Sequence, residues 1–392
     1  MKNSLSITVG TSGAEINGRD NRAIQAGVDY LAALGGGTLR ILPGRYQLNN
    51  AIYLRKNICI QGSGTETVLI KNPSVQTTLV TDSDWYEDHI TLINSKGFEV
   101  GYGVCLRANA PSHGGSNVIK RTLVARRENR FWLDEPLEKN FWTDHQAQVA
   151  TLFPILTGEH IHNLEIRDLV LDGNRSQNQH LDGNYAGCIF LQNCQGIHIE
   201  NVETRNYNGD GISWQICHDV TVINCLSVNN ADLGLHPGSG SLRPIIHQNH
   251  LEGNRVGLFF CWGVKHGIAE NNRICNNRQF GISIGHRDTD NIIRKNRIEK
   301  SGEVGVIFRN EPNEGRCPHH NLLEDNQIIN SGEIGIDIQG ETRSIMLLRN
   351  QIIETRKPAQ HIGLQIGQKV TELTLEKNTF SGLEIETNDL RS

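Results

Sequence analysis

The chain has 392 residues, 37 % of them hydrophobic and 21 % charged, with a formal net charge of −5. This balance is that of a globular protein and excludes a general affinity for nucleic acid, which needs clustered Lys and Arg. No apolar run approaches the roughly 18 residues of a membrane-spanning helix, so no membrane partner is expected.

The first residues, MKNSLSITVG, lack the apolar stretch and small-residue cleavage site of a signal peptide. A cytoplasmic location is expected, or a secreted or periplasmic one if a signal has been removed. Residues 20–34 then read as an amphipathic helix capped by Asp20 and stopped by a glycine triplet. TLRILPGRYQL, AIYLRKNICIQGSG and TVLIKN follow as strands separated by turns, so residues 1–84 form an N-terminal cap and first coils. Residues 85–150 break the rhythm: NVIKRTLVARRENRFWLDEPL reads as a hairpin-like strand pair within a small β-rich insertion that can wall a groove. FWTDHQAQVATLFPIL leads back towards the main body, residues 151–392.

That main body repeats. A glycine precedes an alternating apolar strand at Gly187, Gly211, Gly234, Gly257, Gly281, Gly305, Gly335 and Gly363, at spacings of 24, 23, 23, 24, 24, 30 and 28 residues. A second marker, an Asn followed two residues later by an apolar side chain, recurs at Asn224, Asn249, Asn272, Asn296, Asn326 and Asn350. About 23 residues hold three short strands with turns between them, one coil of a parallel β-helix. In GISWQI, Ile212 and Trp214 should point inward and Ser213 and Gln215 outward. Stacked Asn side chains should form a ladder along one corner. The predicted fold is all-β, one continuous right-handed parallel β-helix in which the helix covers an open end of the core. The nine cysteines, including Cys59, Cys188, Cys225 and Cys261, form no CxxC pair and read as small core residues.

The GGGT…LPG.Y…I.L…I.I.G.G arrangement, with the repeat behind it, resembles the pectin-lyase-like superfamily over nearly the whole chain. The resemblance implies the fold; the superfamily includes lyases, hydrolases, epimerases, fructotransferases and phage tailspikes, so it leaves the chemistry open.

Outward positions of successive coils stack about 4.8 Å apart, so a site should appear as polar residues on neighbouring rungs. Two residues after each marker glycine the sequence gives Ile189, Ser213, His236, Phe259, Ser283, Ile307 and Asp337. Four residues after it come Leu191, Gln215, Gly238, Cys261, Gly285, Arg309 and Gln339. Trp262, His286, Arg287 and Glu311 lie farther along the same edge. The coils from Gly211 to Gly305 therefore hold the expected cleft, with a poly- or oligosaccharide as substrate and Gln215, Phe259, Trp262, Lys265, His286, Arg287, Arg309 and Glu311 as binding residues.

YNGDGIS (207–213) and ADLGLHPGSGS (231–241) resemble the polygalacturonase pattern, an NxDGI strand followed one coil later by an Asp pair. The resemblance puts Asp210 and Asp232 in the carboxylate positions, where a hydrolase needs one protonated acid and one ionised partner. Leu233 stands at the second Asp of the pair, and no RIK motif follows. Asp210 and Asp232 with His236 assisting make glycoside hydrolysis the first expectation. GLHPGSGS is also similar to the GxDPH element of mannuronan epimerases and related lyases, although the order here is Leu235-His236-Pro237-Gly238. This second resemblance implies a uronate lyase or epimerase with His236 as base and Arg287, Arg309 or Lys265 neutralising a carboxylate. A third reading is a glycan-binding or tailspike-like β-helix without catalysis. No cofactor or metal is expected, except calcium if the chain is a lyase. The expected assembly is a monomer or a homo-trimer.

Overall fold

A computed structural model describes residues 5–110, 115–357 and 361–391. Eleven parallel strands stack along one face, running from Ile52–Tyr53 through Leu156–Glu159, Gly187–Gln192, Asp210–Gln215 and Leu233–Gly238 to Ile385–Asp389. The two other faces join into a 22-stranded sheet because long strands pass round a corner without interruption. His162–Asp172 bends at Asp168 (φ 58°) and Gln195–Arg205 at Asn201 (φ 54°), and the Asn201 amide donates to the Asp168 carboxylate across that corner at 3.1 Å. Three faces with parallel register in every coil make the predicted β-helix. No helix among the described residues is long and apolar enough to cross a membrane.

The interior is filled by the inward half of each strand. Ile212 and Trp214 are fully buried, continuous with Leu235, Leu258, Ile282 and Val306 on the following rungs. At one corner Asn249, Asn272, Asn296, Asn326, Asn350 and Asn378 form the ladder. From Asn272 onward each amide oxygen accepts both the backbone N–H and the side-chain N–H of the preceding Asn, for example Asn272 to Asn296 at 3.0 and 2.9 Å. Each amide also donates to a strand carbonyl, Asn296 to Ala269 at 2.9 Å. Burial is tolerable because the donors and acceptors repeat at the coil spacing.

Asn224 is not a member. It adopts the left-handed conformation (φ 52°) that precedes the ladder position, and Cys225 takes the ladder slot, its backbone N–H donating to Asn249. A second ladder runs through Asn230, Asn254 and Asn277. It bounds the marker glycines Gly211, Gly234 and Gly257: a Cβ on Gly234 would stand 2.9 Å from the Asn254 amide and 2.5 Å from the Gly257 carbonyl.

The helix spans Asn21–Ala33, with the Asp20 carboxylate accepting from the N–H groups of Arg22 and Ala23. Ile24, Val28 and Leu31 are buried against the first coils, where Gly27 lets the helix approach Leu39. The insertion is a six-stranded sheet with its own apolar core, which includes Phe98, Phe131 and Phe141. It begins at Gln76–Thr78, before the predicted residue 85, because that short polar strand pairs with Gln148–Ala150 inside the insertion.

Candidate functional site

The eleven-stranded face carries an outward row of side chains on successive rungs: Thr157, Phe190, Ser213, His236, Phe259, Ser283, Ile307 and Asp337. From Ser213 onward this is the predicted row. Its predicted first member is displaced, since Gly187 pairs with Asp210 rather than Gly211. Ile189 and Leu191 consequently align with Ile212 and Trp214 in the core, and Phe190 faces outward.

Two rungs supply a buried charged pair. Asp210 begins the strand Asp210–Gln215, and its Oδ2 lies 2.8 Å from Nδ1 of His236, in the middle of Leu233–Gly238. The other Asp210 oxygen accepts the Leu233 N–H at 3.0 Å. Asp210 is 0 % exposed and His236 3 %. Burial pushes the Asp210 carboxyl up. Burial works against a charged His236, but the hydrogen bonds and charges of Asp210 and Cys261, with Asp210 the larger, outweigh it and raise the imidazole to about 9. The pair therefore retains a proton at neutral pH. His236 Nε2 is buried with no hydrogen-bond partner among the described residues.

A loop over residues 173–186 covers the pair. The Ser213 hydroxyl donates to the Gly183 carbonyl at 2.8 Å, and a Cβ on Gly183 would fall 1.7 Å from Asp210 Oδ2. His180 in the same loop reaches Asp232, with Nε2 to Oδ2 at 2.5 Å, and Arg255 approaches the other carboxylate oxygen at 3.3 Å. Burial opposes ionisation of Asp232, yet His180 and Arg255 together lower its pKa, while the Asp232 hydrogen bond raises that of His180. The insertion braces the loop: Arg107 donates to the His180 carbonyl at 2.9 Å and to the Gln179 side chain at 2.7 Å. Lys120 from the insertion lies 4.0 Å from the Phe190 ring centroid, and a cavity of about 320 Å³ beyond it is lined by Tyr53, Thr157 and Glu159.

On the other side of His236 the face is open and aromatic. The Phe259 ring meets the His236 imidazole edge-on at 5.6 Å, and the Arg309 guanidinium lies over Phe259 at 4.4 Å. Arg309 reaches back across Gly285, donating to the Ser283 hydroxyl at 2.7 Å and to the Phe260 carbonyl at 3.1 Å. Beneath it Asp288 accepts three backbone N–H groups, from Gly263, Val264 and Gly285, and stands 3.6 Å from Arg309. Burial raises Asp288 to about 6 despite those contacts. Trp262, 63 % exposed, stacks on His286 at 4.9 Å, and His286 Nδ1 lies 3.3 Å from Glu311.

Phe259, Trp262, His286, Arg309 and Glu311 thus gather into one patch beside the Asp210–His236 pair. Gln215 folds across Gly238 and donates to Ser213 at 3.1 Å, at the covered end. Asp232 is nearby but engaged by His180 and Arg255. Arg287 turns away at a left-handed corner (φ 58°) and donates to the Gly315 carbonyl. Lys265 lies past that corner, in register with Leu242 and Thr289 at the head of the next face. Ser213, Ser283, Asp288 and Gly183 belong to the site without having been predicted, and His180 belongs to it although the simpler sequence reading of NQHLDGNY is a turn. The serines were visible on the outward row, whereas the reach of the 173–186 loop back over Asp210 and Asp232 has no local sequence signal.

Residues 169–314 match the family described as "Right handed beta helix region". No curated protein sequence matches the chain. Among solved structures, the A-module of mannuronan C-5 epimerase AlgE6 from Azotobacter vinelandii is 16 % identical at a TM-score of 0.61, over 94 % of this chain and 91 % of that one. PfbA, a surface adhesin of Streptococcus pneumoniae, is 12 % identical at 0.57, over 93 % and 87 %. The Dettilon tailspike protein is 11 % identical at 0.57, over 97 % of this chain and 62 % of that one. An epimerase, an adhesin and a tailspike share the architecture, so the likeness concerns fold and not chemistry. Register, ladders and comparisons agree that the chain is a right-handed parallel β-helix.

Proposed function

We propose that the chain binds an acidic polysaccharide along the face from His236 to Glu311 and acts on its uronate units by moving the proton beside the carboxylate, as a lyase or epimerase does. The observation that carries this reading is the pair of cationic groups on either side of Phe259: His236, charged through Asp210, and Arg309, held over the ring. A sugar ring on Phe259 would set its carboxylate against Arg309, which would stabilise the enolate formed when the neighbouring proton leaves. His236 Nε2, without a hydrogen-bond partner among the described residues, would deliver or receive a proton on one side of that ring. His286, whose Nδ1 faces Glu311, is the residue in the patch suited to the opposite transfer. The structural likeness to a mannuronan C-5 epimerase accords with this substrate class.

Hydrolysis by Asp210 and Asp232 has less geometric support. Each carboxylate is engaged, Asp210 by His236 and the Leu233 N–H, Asp232 by His180 and Arg255, and loop 173–186 lies over Asp210. A second reading, glycan binding without turnover, is favoured by one observation: the Asp210–His236 pair is sealed while the Trp262–His286 stack is open. A panel of polyuronates separates these readings. Elimination gives a conjugated unsaturated product, epimerisation inverts a carbon without cleavage, and hydrolysis releases reducing ends alone. Product formation that is lost in His236→Gln supports the proposal; reducing ends without unsaturation or inversion would refute it. Binding without turnover would leave the second reading.

A further inference from the structure

We propose that His250, Glu252 and Cys275 form a binding site for a zinc-class divalent cation, on a face of the solenoid other than the one that carries His236. His250 and Glu252 are alternate residues of the strand His250–Glu252, so both point to the same side while Leu251 is fully buried between them. The next rung, Arg273–Cys275, pairs in register and sets Cys275 directly opposite Glu252. One donor atom from each residue converges within 4.8 Å of the other two. His250 Nε2 lies 3.5 Å from the Cys275 sulfur and 2.8 Å from Glu252 Oε2.

The spacing fits tetrahedral zinc. With metal–ligand distances near 2.0–2.3 Å, donors sit about 3.4 Å apart, so the His–Cys separation already matches and the His–Glu pair opens by roughly half an ångström. Parallel rungs hold both strands, so little ordering remains to be done when a cation enters. The outer oxygen of Glu252 is oriented by the Asn276 amide at 2.9 Å, a contact typical of a supported ligand. Glu299, on the following rung, is already taken by Arg297 at 2.6 Å. The protein thus supplies three donors, one nitrogen, one oxygen and one sulfur, and a fourth position is left for water or an external ligand.

Cys275 is the unusual member. Cys188, Cys194, Cys217 and Cys225 lie in the main apolar core, where a cysteine is a small packing residue. Cys275 is 2 % exposed yet outside that core, beside His250 and Glu252 on the outward side. A sulfur donor favours zinc-class ions over calcium or magnesium, which prefer oxygen. On loading, the Cys275 S–H bond breaks and its proton passes to solvent as the sulfur–metal bond forms, while the metal takes the place of the His250–Glu252 hydrogen bond and the Nε2 proton is given up to solvent, the neutral imidazole then carrying its proton on Nδ1.

The test is a Co²⁺ titration of the full chain followed by Zn²⁺ competition. The expected result is a thiolate-to-cobalt charge-transfer band that saturates at one equivalent, disappears on adding Zn²⁺, persists in Cys59→Ser and is lost in Cys275→Ser. Zn²⁺ should raise the melting temperature of the wild type and leave that of Cys275→Ser unmoved, and Glu252→Gln should weaken Zn²⁺ binding roughly tenfold or more. If Cys275→Ser does not fold, His250→Gln makes the same comparison. No band, or an equal band or equal melting shift in the folded Cys275 and His250 variants, overturns the proposal.

Discussion

The His236 imidazole is hydrogen-bonded to one carboxylate, Asp210 Oδ2 at 2.8 Å from Nδ1, and that carboxylate is in turn covered by Gly183. Removing either partner leaves the other buried alone. Asp210→Asn should therefore lose about 3–5 kcal/mol of unfolding free energy, the usual cost of breaking a buried pair, measured by urea denaturation near neutral pH. A loss below about 1 kcal/mol would mean that the pair is not held as described.

The same pair has a defined pH signature. His236 binds its proton more tightly folded (about 9) than unfolded (about 6.5), so its contribution is complete below pH 6.5 and disappears as pH rises through 9. Lys71, fully buried between Phe153 and Tyr207 and lowered to about 7 by burial, titrates over an overlapping range with the opposite sign. The wild-type profile mixes the two effects, and the difference between wild type and His236→Gln isolates the imidazole. That difference should be largest near pH 6 and shrink towards pH 10 in chemical denaturation series; a difference that grows with pH would reverse the assignment.

Gly183→Ala places a methyl group 1.7 Å from Asp210 Oδ2. The loop must lift, at a cost of about 1–3 kcal/mol, the range for overpacking a filled site. Hydrogen exchange over residues 178–186 should accelerate while the Asn ladder stays protected. Unchanged exchange in that loop would show that it does not rest on Asp210.

Asn296→Ala removes an acceptor of two Asn272 bonds and a donor to Ala269 and Asn326. Several buried polar groups are orphaned at once, so a loss of roughly 2–4 kcal/mol is expected from denaturant unfolding. Trp262→Ala is the contrasting case. The ring is largely exposed, so stability should move by less than about 0.5 kcal/mol. Loss of the stacking surface should weaken polyuronate binding by roughly three- to tenfold in calorimetric titration.

Much of this arrangement could be read from the sequence because a solenoid turns spacing into position. Ser213, His236, Phe259 and Ser283 share a row because each sits two residues after a marker glycine, and at those glycines the carbonyl of the next rung, with an Asn of the second ladder or with Ser301 at Gly281, leaves no room for a Cβ. The same rule failed by one residue at Gly187, because Cys188 rather than a glycine stands opposite Gly211. It also failed at Asn224, where a left-handed turn residue happened to share the identity of its ladder neighbours. Contacts made by loops were not legible. Nothing in NQHLDGNY encodes that His180 reaches Asp232 52 residues later, or that Gly183 closes over Asp210. Corners hid their directions too, which is why Arg287 and Lys265 leave the face that Arg309 joins.

Proton NMR of a polyuronate incubated with the protein in deuterated water tests the central claim most directly, because one spectrum reads elimination, inversion and hydrolysis together. The account predicts alkene signals, or inverted units whose proton beside the carboxylate has become deuterium, and neither change with His236→Gln. Reducing-end signals with every such proton retained, or an unchanged spectrum for each polyuronate that the protein binds, would contradict it.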